Sequence, residues 1–257
     1  MRGLLTVLLA LSLATGFGSV TAEAKSIFEK TMEDQGISAW KKGDFKRARR
    51  WLSTDETAEK PLSWYYLGLM YENGQGGFDI DIRRAEKLYH RAAEKGIPEA
   101  MLAIADIHAR GGAGVRPNSS VARAWHERAA DAGSLKGMML LAYDYAGAHG
   151  LPPDYQRARI WFEQVAATGN GEAMNGIANL YRNGHGVDVN MVEALKWYRL
   201  AVKYGYADAA GSEALLSRIL DPAQQADASN RMLEWEILTG RAPDPNAVPA
   251  AAPKAKP

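Results

Sequence analysis

The feature that most limits how this chain can fold is that it repeats itself. Between Leu67 and Gly205 one pattern occurs four times. Ala85, Ala122, Ala158 and Ala194 lie 37, 36 and 36 residues apart. Each is followed by a large residue (Leu88, Trp125, Trp161, Trp197) and then by Ala92, Ala129, Val165 or Ala201. A glycine closes every copy: Gly96, Gly133, Gly169 and Gly205. A period of this length marks a solenoid. One supersecondary unit cannot bury its apolar face alone, so it buries that face against copies of itself.

Each copy reads as a pair of helices. In the first, a helix over roughly Leu62–Glu72 stops at Asn73-Gly74, and Gly74, Gly76 and Gly77 form the turn. Asp81 then opens a second helix to about Lys95. The later turns vary: Gly111–Gly114 before Pro117-Asn118, Gly147–Gly150 before Pro152-Pro153-Asp154, and Gly184–Val187. Gly68, Ala105, Ala142 and Ala178 share one position, three residues before Tyr71, His108, Tyr145 and Tyr181. A small residue one turn before a ring lets the partner helix approach closely while the ring fills the space beside it. Ala85, Leu88 and Ala92, at spacings of three and four, make one buried stripe. Met101, Met138 and Met174 keep the same period and read as core filling.

The ends depart from the pattern. Leu4–Gly18 is an apolar and small-residue run behind Arg2, and Ala22-Glu23-Ala24 has the small-x-small form of a cleavage site. Residues 1–24 therefore read as a secretory signal cut after Ala24, leaving a periplasmic or secreted chain. An uncleaved anchor is the other reading, although the run is shorter than the roughly 20 residues of a spanning helix. Residues 25–60 hold a divergent helical pair, with Ala39 and Trp40 before a Gly43-Asp44 break and Ala48, Trp51 and Leu52 after it. Four repeats occupy 61–205. Capping helices are expected over 206–240: one near Asp208–Leu220, then one over Ala223–Leu238 with Met232, Leu233 and Trp235 as its apolar face. Residues 241–257 form a Pro/Ala-rich tail with no core of its own.

Composition narrows the chemistry. The net charge is +1 and 24% of residues are charged, so no strong overall field favours nucleic acid or anionic lipid. There is no cysteine, which excludes disulfides, thiol catalysis and cysteine-ligated zinc.

The segments LGLMYENGQGG with AEKLYHRAAEKG, and IANLYRNGHGV with ALKWYRLAVKYG, resemble the Sel1-like repeat family, a relative of the tetratricopeptide repeat. The second copy keeps ARAWHERAADAG but has His108 at the tyrosine; the third keeps Trp161-Phe162 with a remodelled loop. The resemblance implies an all-α, right-handed α-solenoid of stacked antiparallel helix pairs. It also implies an adaptor that binds a protein or peptide, acts as a monomer and needs no cofactor. Regulation of a signalling or envelope-assembly partner is the more specific form of that expectation. Some disulfide-rich exported members are associated with β-lactams or cell-wall material. That activity is the alternative, and the missing cysteines count against it.

In such folds the first helices line the concave face. Positions opposite the core are Tyr66, Ala103, Leu140 and Gly176, then Leu69, Asp106, Tyr143 and Asn179. Tyr66, Leu69, Leu140 and Tyr143 would form an apolar, aromatic groove for a partner segment, with Asp106 and Asn179 as its polar positions. The same residues could instead pack between neighbouring repeats. His149 and His185 look equivalent in adjacent loops. Two imidazoles could share a metal, but no carboxylate or cysteine recurs beside them, so solvated loop histidines are the simpler reading. The glycine turns match no phosphate-binding motif, and no acid–base pair recurs. Sequence therefore assigns no catalytic, cofactor or metal residue.

Overall fold

The computed structural model describes residues 22–53, 60–111 and 115–241, with side chains from residue 32 onward. The apolar N-terminal run and nearly all of the Pro/Ala tail lie outside these residues, as does most of the connection after Ser53. The described residues form twelve helices and no sheet. None of these helices is long and apolar enough to cross a membrane. The chain divides into two compact units, Met1–Ser134 and Leu135–Pro257.

The first unit contains α1 (Ala22–Lys41), α2 (Phe45–Leu52), α3 (Pro61–Glu72), α4 (Ile82–Glu94), α5 (Pro98–Arg110) and α6 (Ser119–Asp131). The second contains α7 (Leu135–Tyr145), α8 (Tyr155–Ala166), α9 (Gly171–Asn183), α10 (Met191–Lys203), α11 (Ala210–Ile219) and α12 (Pro222–Leu238). Within each unit, consecutive helices joined by short turns pack as antiparallel pairs, and the pairs stack side by side. This is the α-solenoid arrangement that the period implies.

One local device recurs in all four repeats. The residue capping each second helix donates its N–H to the carbonyl of the aromatic position on the first helix. The bonds are Asp81 to Tyr71 (2.9 Å), Asn118 to His108 (2.7 Å), Asp154 to Tyr145 (2.7 Å) and Asn190 to Tyr181 (3.0 Å). The same four side chains then accept from the backbone N–H three residues on, at 2.9–3.1 Å. The side-chain cap is what calls for Asp or Asn there; the backbone bond asks only for a residue with an N–H. At the other end, Gly96, Gly133, Gly169 and Gly205 sit at φ from +82° to +90°, where a side chain would be strained.

The cores are built from alanine against aromatic and aliphatic residues. In the first unit Leu67, Met70, Tyr89 and Ile104 have no exposed surface, and Ala85, Ala92, Ala100 and Ala105 lie between them. In the second unit Leu141, Ala158, Val165, Met174, Ile177, Leu195 and Leu200 are likewise fully enclosed. Each buried large aliphatic contributes about 1.5–3 kcal/mol of burial free energy, so a repeat is held mainly by its neighbours' contact surface. Met101 and Met174 are core residues, as expected, whereas Met138 is only half-buried.

The C-terminal helices differ from expectation in phase. A short 3-10 turn, Ala207–Ala209, precedes α11. On α12, Ala228 and Glu236 are buried, but Leu233 is 48% exposed. The inner face therefore runs through Ala228, Met232 and Trp235, at spacings of four and three, and Leu233 points outward. Trp235 packs edge-on to Trp197 at 5.4 Å. Glu236 is held by Lys203 Nζ at 2.6 Å and by the Tyr204 hydroxyl at 3.3 Å. Asp221 starts α12 with a complete capping box to Gln224 behind Pro222.

Candidate partner-binding surface

The outward side of the first helices is built differently in each unit. In the first unit, Trp40 on α1, Tyr65, Tyr66 and Leu69 on α3, and Leu102 and Ala103 on α5 are all half-buried against one core cluster. The rings interlock: Trp40–Tyr66 at 4.9 Å, Tyr65–Tyr66 at 5.2 Å and Tyr65–Tyr89 at 5.9 Å. Trp40 Nε1 donates to Gln75 Oε1 at 3.2 Å, which fixes the indole. These contacts cement rings on a rigid support while leaving part of each face to solvent.

The polar groups around the rings fall into two sets. Glu72 is fully engaged: it accepts from the Tyr89 hydroxyl at 2.7 Å and from Arg110 at 2.9 Å. Arg110 also grips Asp106 at 2.5 Å, so Asp106 is exposed but paired on its own helix. By contrast, among the described residues Tyr65 and Tyr66 make ring contacts and no side-chain hydrogen bond, and the exposed Glu99 forms no ion pair. Burial, then the neighbouring Tyr66, Glu99 and Glu72, pushes the Tyr65 phenol up to about 12. Burial and Glu99 raise Tyr66 in the same direction. Burial and the Glu72 hydrogen bond raise Tyr89 further still. All three phenols are therefore neutral donors at physiological pH.

In the second unit the residues singled out from sequence are drawn into packing. Tyr143 donates to Glu172 Oε1 at 2.7 Å and meets Phe162 edge-on at 5.3 Å. Asn179 Oδ1 accepts from the Tyr198 hydroxyl at 2.7 Å. Leu140 is half-buried. Gly176 is not on an open face at all. It is buried, and a methyl there would lie 2.8 Å from the Phe162 ring. Of the six positions named from sequence, Tyr66, Leu69 and Asp106 share the first unit's surface, and only Tyr66 brings an unengaged polar group. Trp40, Tyr65 and Glu99 were not singled out. The adjacent Tyr65-Tyr66 pair was the signal available for Tyr65, since both rings can face outward only if the helix is turned to bring its boundary there.

The two loop histidines do not converge. His149 occupies the middle of a 3-10 turn at φ +57°, the slot that Gly76 fills in the first repeat. His185 precedes the corresponding Gly186, so the two are offset by one position. His149 Nδ1 lies 2.9 Å from the buried Asp144 carboxylate, and His185 stacks on Tyr155 at 4.3 Å. Among the described residues, no group of three or more His, Asp or Glu side chains is placed to hold a metal ion.

Comparison with known proteins agrees with this architecture. The Sel1 repeat family model matches residues 63–97, 98–134, 135–170 and 171–206. A Sel1 repeat protein from Oxalobacter formigenes has a similar structure, with a TM-score of 0.65 and 23% identity over 82% of this chain and 83% of that one. At that identity the likeness speaks for the fold alone. A putative Sel1 repeat protein from Klebsiella pneumoniae aligns with a TM-score of 0.46 and 18% identity, over 77% of this chain and 97% of that one. A protective antigen of uropathogenic Escherichia coli with an SLR fold gives 0.46 and 17%, over 88% and 58%. No curated protein matches the chain. Sel1 repeats generally mediate contacts between proteins, and the fold typically serves as a non-catalytic scaffold. With four consecutive repeats spanning more than half of its length, the chain belongs to the Sel1 repeat family.

Proposed function

We propose that this protein is an exported, non-enzymatic adaptor that holds a protein or peptide segment on the first-helix face of its first unit. The observation that carries this reading is the Trp40–Tyr65–Tyr66 cluster beside Glu99. Rigid, half-exposed aromatic rings supply contact area at low entropic cost, and aromatic residues dominate binding hot spots. The neutral phenols of Tyr65 and Tyr66 offer donors, and Glu99 offers a charge to the partner's main chain or to a cation. Binding then works by shape and preorganisation, with no bond made or broken.

Export is part of the same proposal and rests on the N-terminal sequence. A cut after Ala24 removes the first three residues of α1 and leaves Lys25 as the new terminus. N-terminal sequencing of protein recovered from the envelope or medium tests this directly; an intact Met1 would refute the cleavage. The binding face is tested with a photo-crosslinking residue at Tyr66, with one at Glu127 on α6 as control. Adducts are expected at position 66 and are expected to fall in a Tyr65→Ala/Glu99→Gln background. Adducts formed equally at both positions and unchanged in that background would refute the assignment.

A further inference from the structure

The near-neutral total charge conceals a sharp local imbalance. Residues 41–51 carry six cations (Lys41, Lys42, Lys46, Arg47, Arg49, Arg50) and one carboxylate, Asp44, a net of +5. By comparison, α3 and α5 carry three carboxylates (Glu72, Glu99, Asp106) and one arginine, Arg110. The excess of positive charge thus lies on the α1–α2 hairpin rather than on α3 and α5.

The hairpin is fixed in place by one of its six cations, and the other five have no side-chain partner among the described residues. Arg49 is the anchor. It donates to the Gly77 carbonyl at 2.8 Å and the Gly76 carbonyl at 3.3 Å, and its guanidinium lies 4.0 Å from the centre of the Phe78 ring. Phe78 stacks on Tyr71 at 4.1 Å, which ties α2 to α3. Ala48 and Leu52 are buried beneath. Asp44 is occupied as the cap of α2, accepting from the Arg47 N–H at 3.1 Å. Lys41, Lys42, Lys46, Arg47 and Arg50 are exposed, and among the described residues none has a side-chain partner. Lys46 and Arg50 are one helical turn apart, as are Arg47 and the half-buried Trp51, so two rows face solvent side by side. Lys46, Arg47, Arg50 and Trp51 line one open groove with Asp44.

We propose that this groove is a second docking surface, which takes an acidic segment of a partner protein, its carboxylates against Lys46, Arg47 and Arg50 and an apolar side chain against Trp51. It is separate from Tyr65, Tyr66 and Glu99 and does not depend on the reading given to them. Two considerations favour a polypeptide over a phosphate polymer or lipid surface. Asp44 within the groove repels closely spaced phosphates, whereas a peptide can place an uncharged residue there. The repeats of this family generally mediate protein–protein contacts.

The test uses the full chain and a fluorescein-labelled 14-residue peptide of alternating Glu/Asp and Leu with one central Trp, read by fluorescence anisotropy. The variant is Lys46→Gln/Arg47→Gln/Arg50→Gln, in which every altered side chain is exposed; its far-UV circular dichroism should match the parent. Saturable binding is expected, weakened about tenfold or more in the variant and by raising salt from 0.05 to 0.5 M. A Gln/Asn version of the peptide should lose binding to the parent to a similar extent. The proposal is overturned if the peptide does not bind the parent, or if the variant binds it as tightly as the parent does. It is also overturned if a 20-nucleotide single strand, or vesicles with 30% phosphatidylserine, bind the same surface more tightly than the peptide.

Discussion

Replacing Gly68 with alanine tests the packing logic at its tightest point. Gly68 lies on α3 facing the ring of Tyr89 on α4. A methyl group there would come within 2.7 Å of Tyr89 Cδ1, and closer still to Cε1. Ordinary carbon contacts begin near 3.5 Å, so the ring must retreat by roughly 1 Å. It cannot do so freely. Tyr89 is fully buried, and its hydroxyl is held by Glu72, which Arg110 braces. Overpacking of this kind costs about 1–3 kcal/mol, and loss of the Tyr89–Glu72 hydrogen bond adds about 1 kcal/mol. Against this, alanine is favoured over glycine in a helix by about 1 kcal/mol. The expected net loss is about 1–3 kcal/mol, which for a chain of this size lowers the melting temperature by roughly 2–4 °C per kcal/mol. Thermal and urea melts followed by circular dichroism measure it. A Gly68→Ala/Tyr89→Leu protein should recover part of the loss relative to the sum of the single variants. The same helix position holds Ala105, Ala142 and Ala178 in the other repeats, so a methyl is not forbidden there in general. If Gly68→Ala melts at or above the parent temperature, the ring is free to move, and the argument that Tyr89 locks this face is wrong.

Three further outcomes follow from the same contacts. The raised phenol of Tyr65 implies that the unfolded chain loses this proton near pH 10, while the folded chain holds it to about 12. The unfolded state therefore gains stability first, and the folded state should weaken as pH rises from about 10 to about 12; Tyr65→Phe should flatten that slope in urea melts, and an unchanged slope would exclude Tyr65 as a source. Asp221→Ala removes the capping box of α12 and is expected to cost about 1 kcal/mol, read as faster amide exchange across that helix. Glu236→Ala leaves Lys203 and Tyr204 without their shared carboxylate and should cost about 1–3 kcal/mol, with α12 releasing before the rest of the second unit. Exchange rates in α12 that match the parent would refute either assignment.

Much of the fold was legible in the chain itself because its signals are local. Asp81, Asn118, Asp154 and Asn190 cap helices with their own side chains, and Gly96, Gly133, Gly169 and Gly205 end helices through their own backbone angles. Such devices need only a few neighbouring residues, and a period near 36 repeats them in register. The stacking of pairs follows, since each alanine-lined stripe has nothing else to bury against. Which outward residues remain free was not legible. Successive residues on a helix differ by 100°, so a one-position error in phase exchanges outer face and core: Gly176 turns inward against Phe162, and Leu233 turns outward. Tyr143 and Asn179 are held by Glu172 and Tyr198, partners 29 and 19 residues away. Sequence spacing cannot announce those pairs. The charge pattern shows the same division. The sum of +1 is a property of the sequence, but the gathering on the α1–α2 hairpin of five cations without a side-chain partner among the described residues exists only once Arg49 is pinned to the turn after α3. Local hydrogen bonds and the repeat period determine the helices and their stacking; long-range pairing alone decides which groups are spent on the fold and which are left to meet a partner.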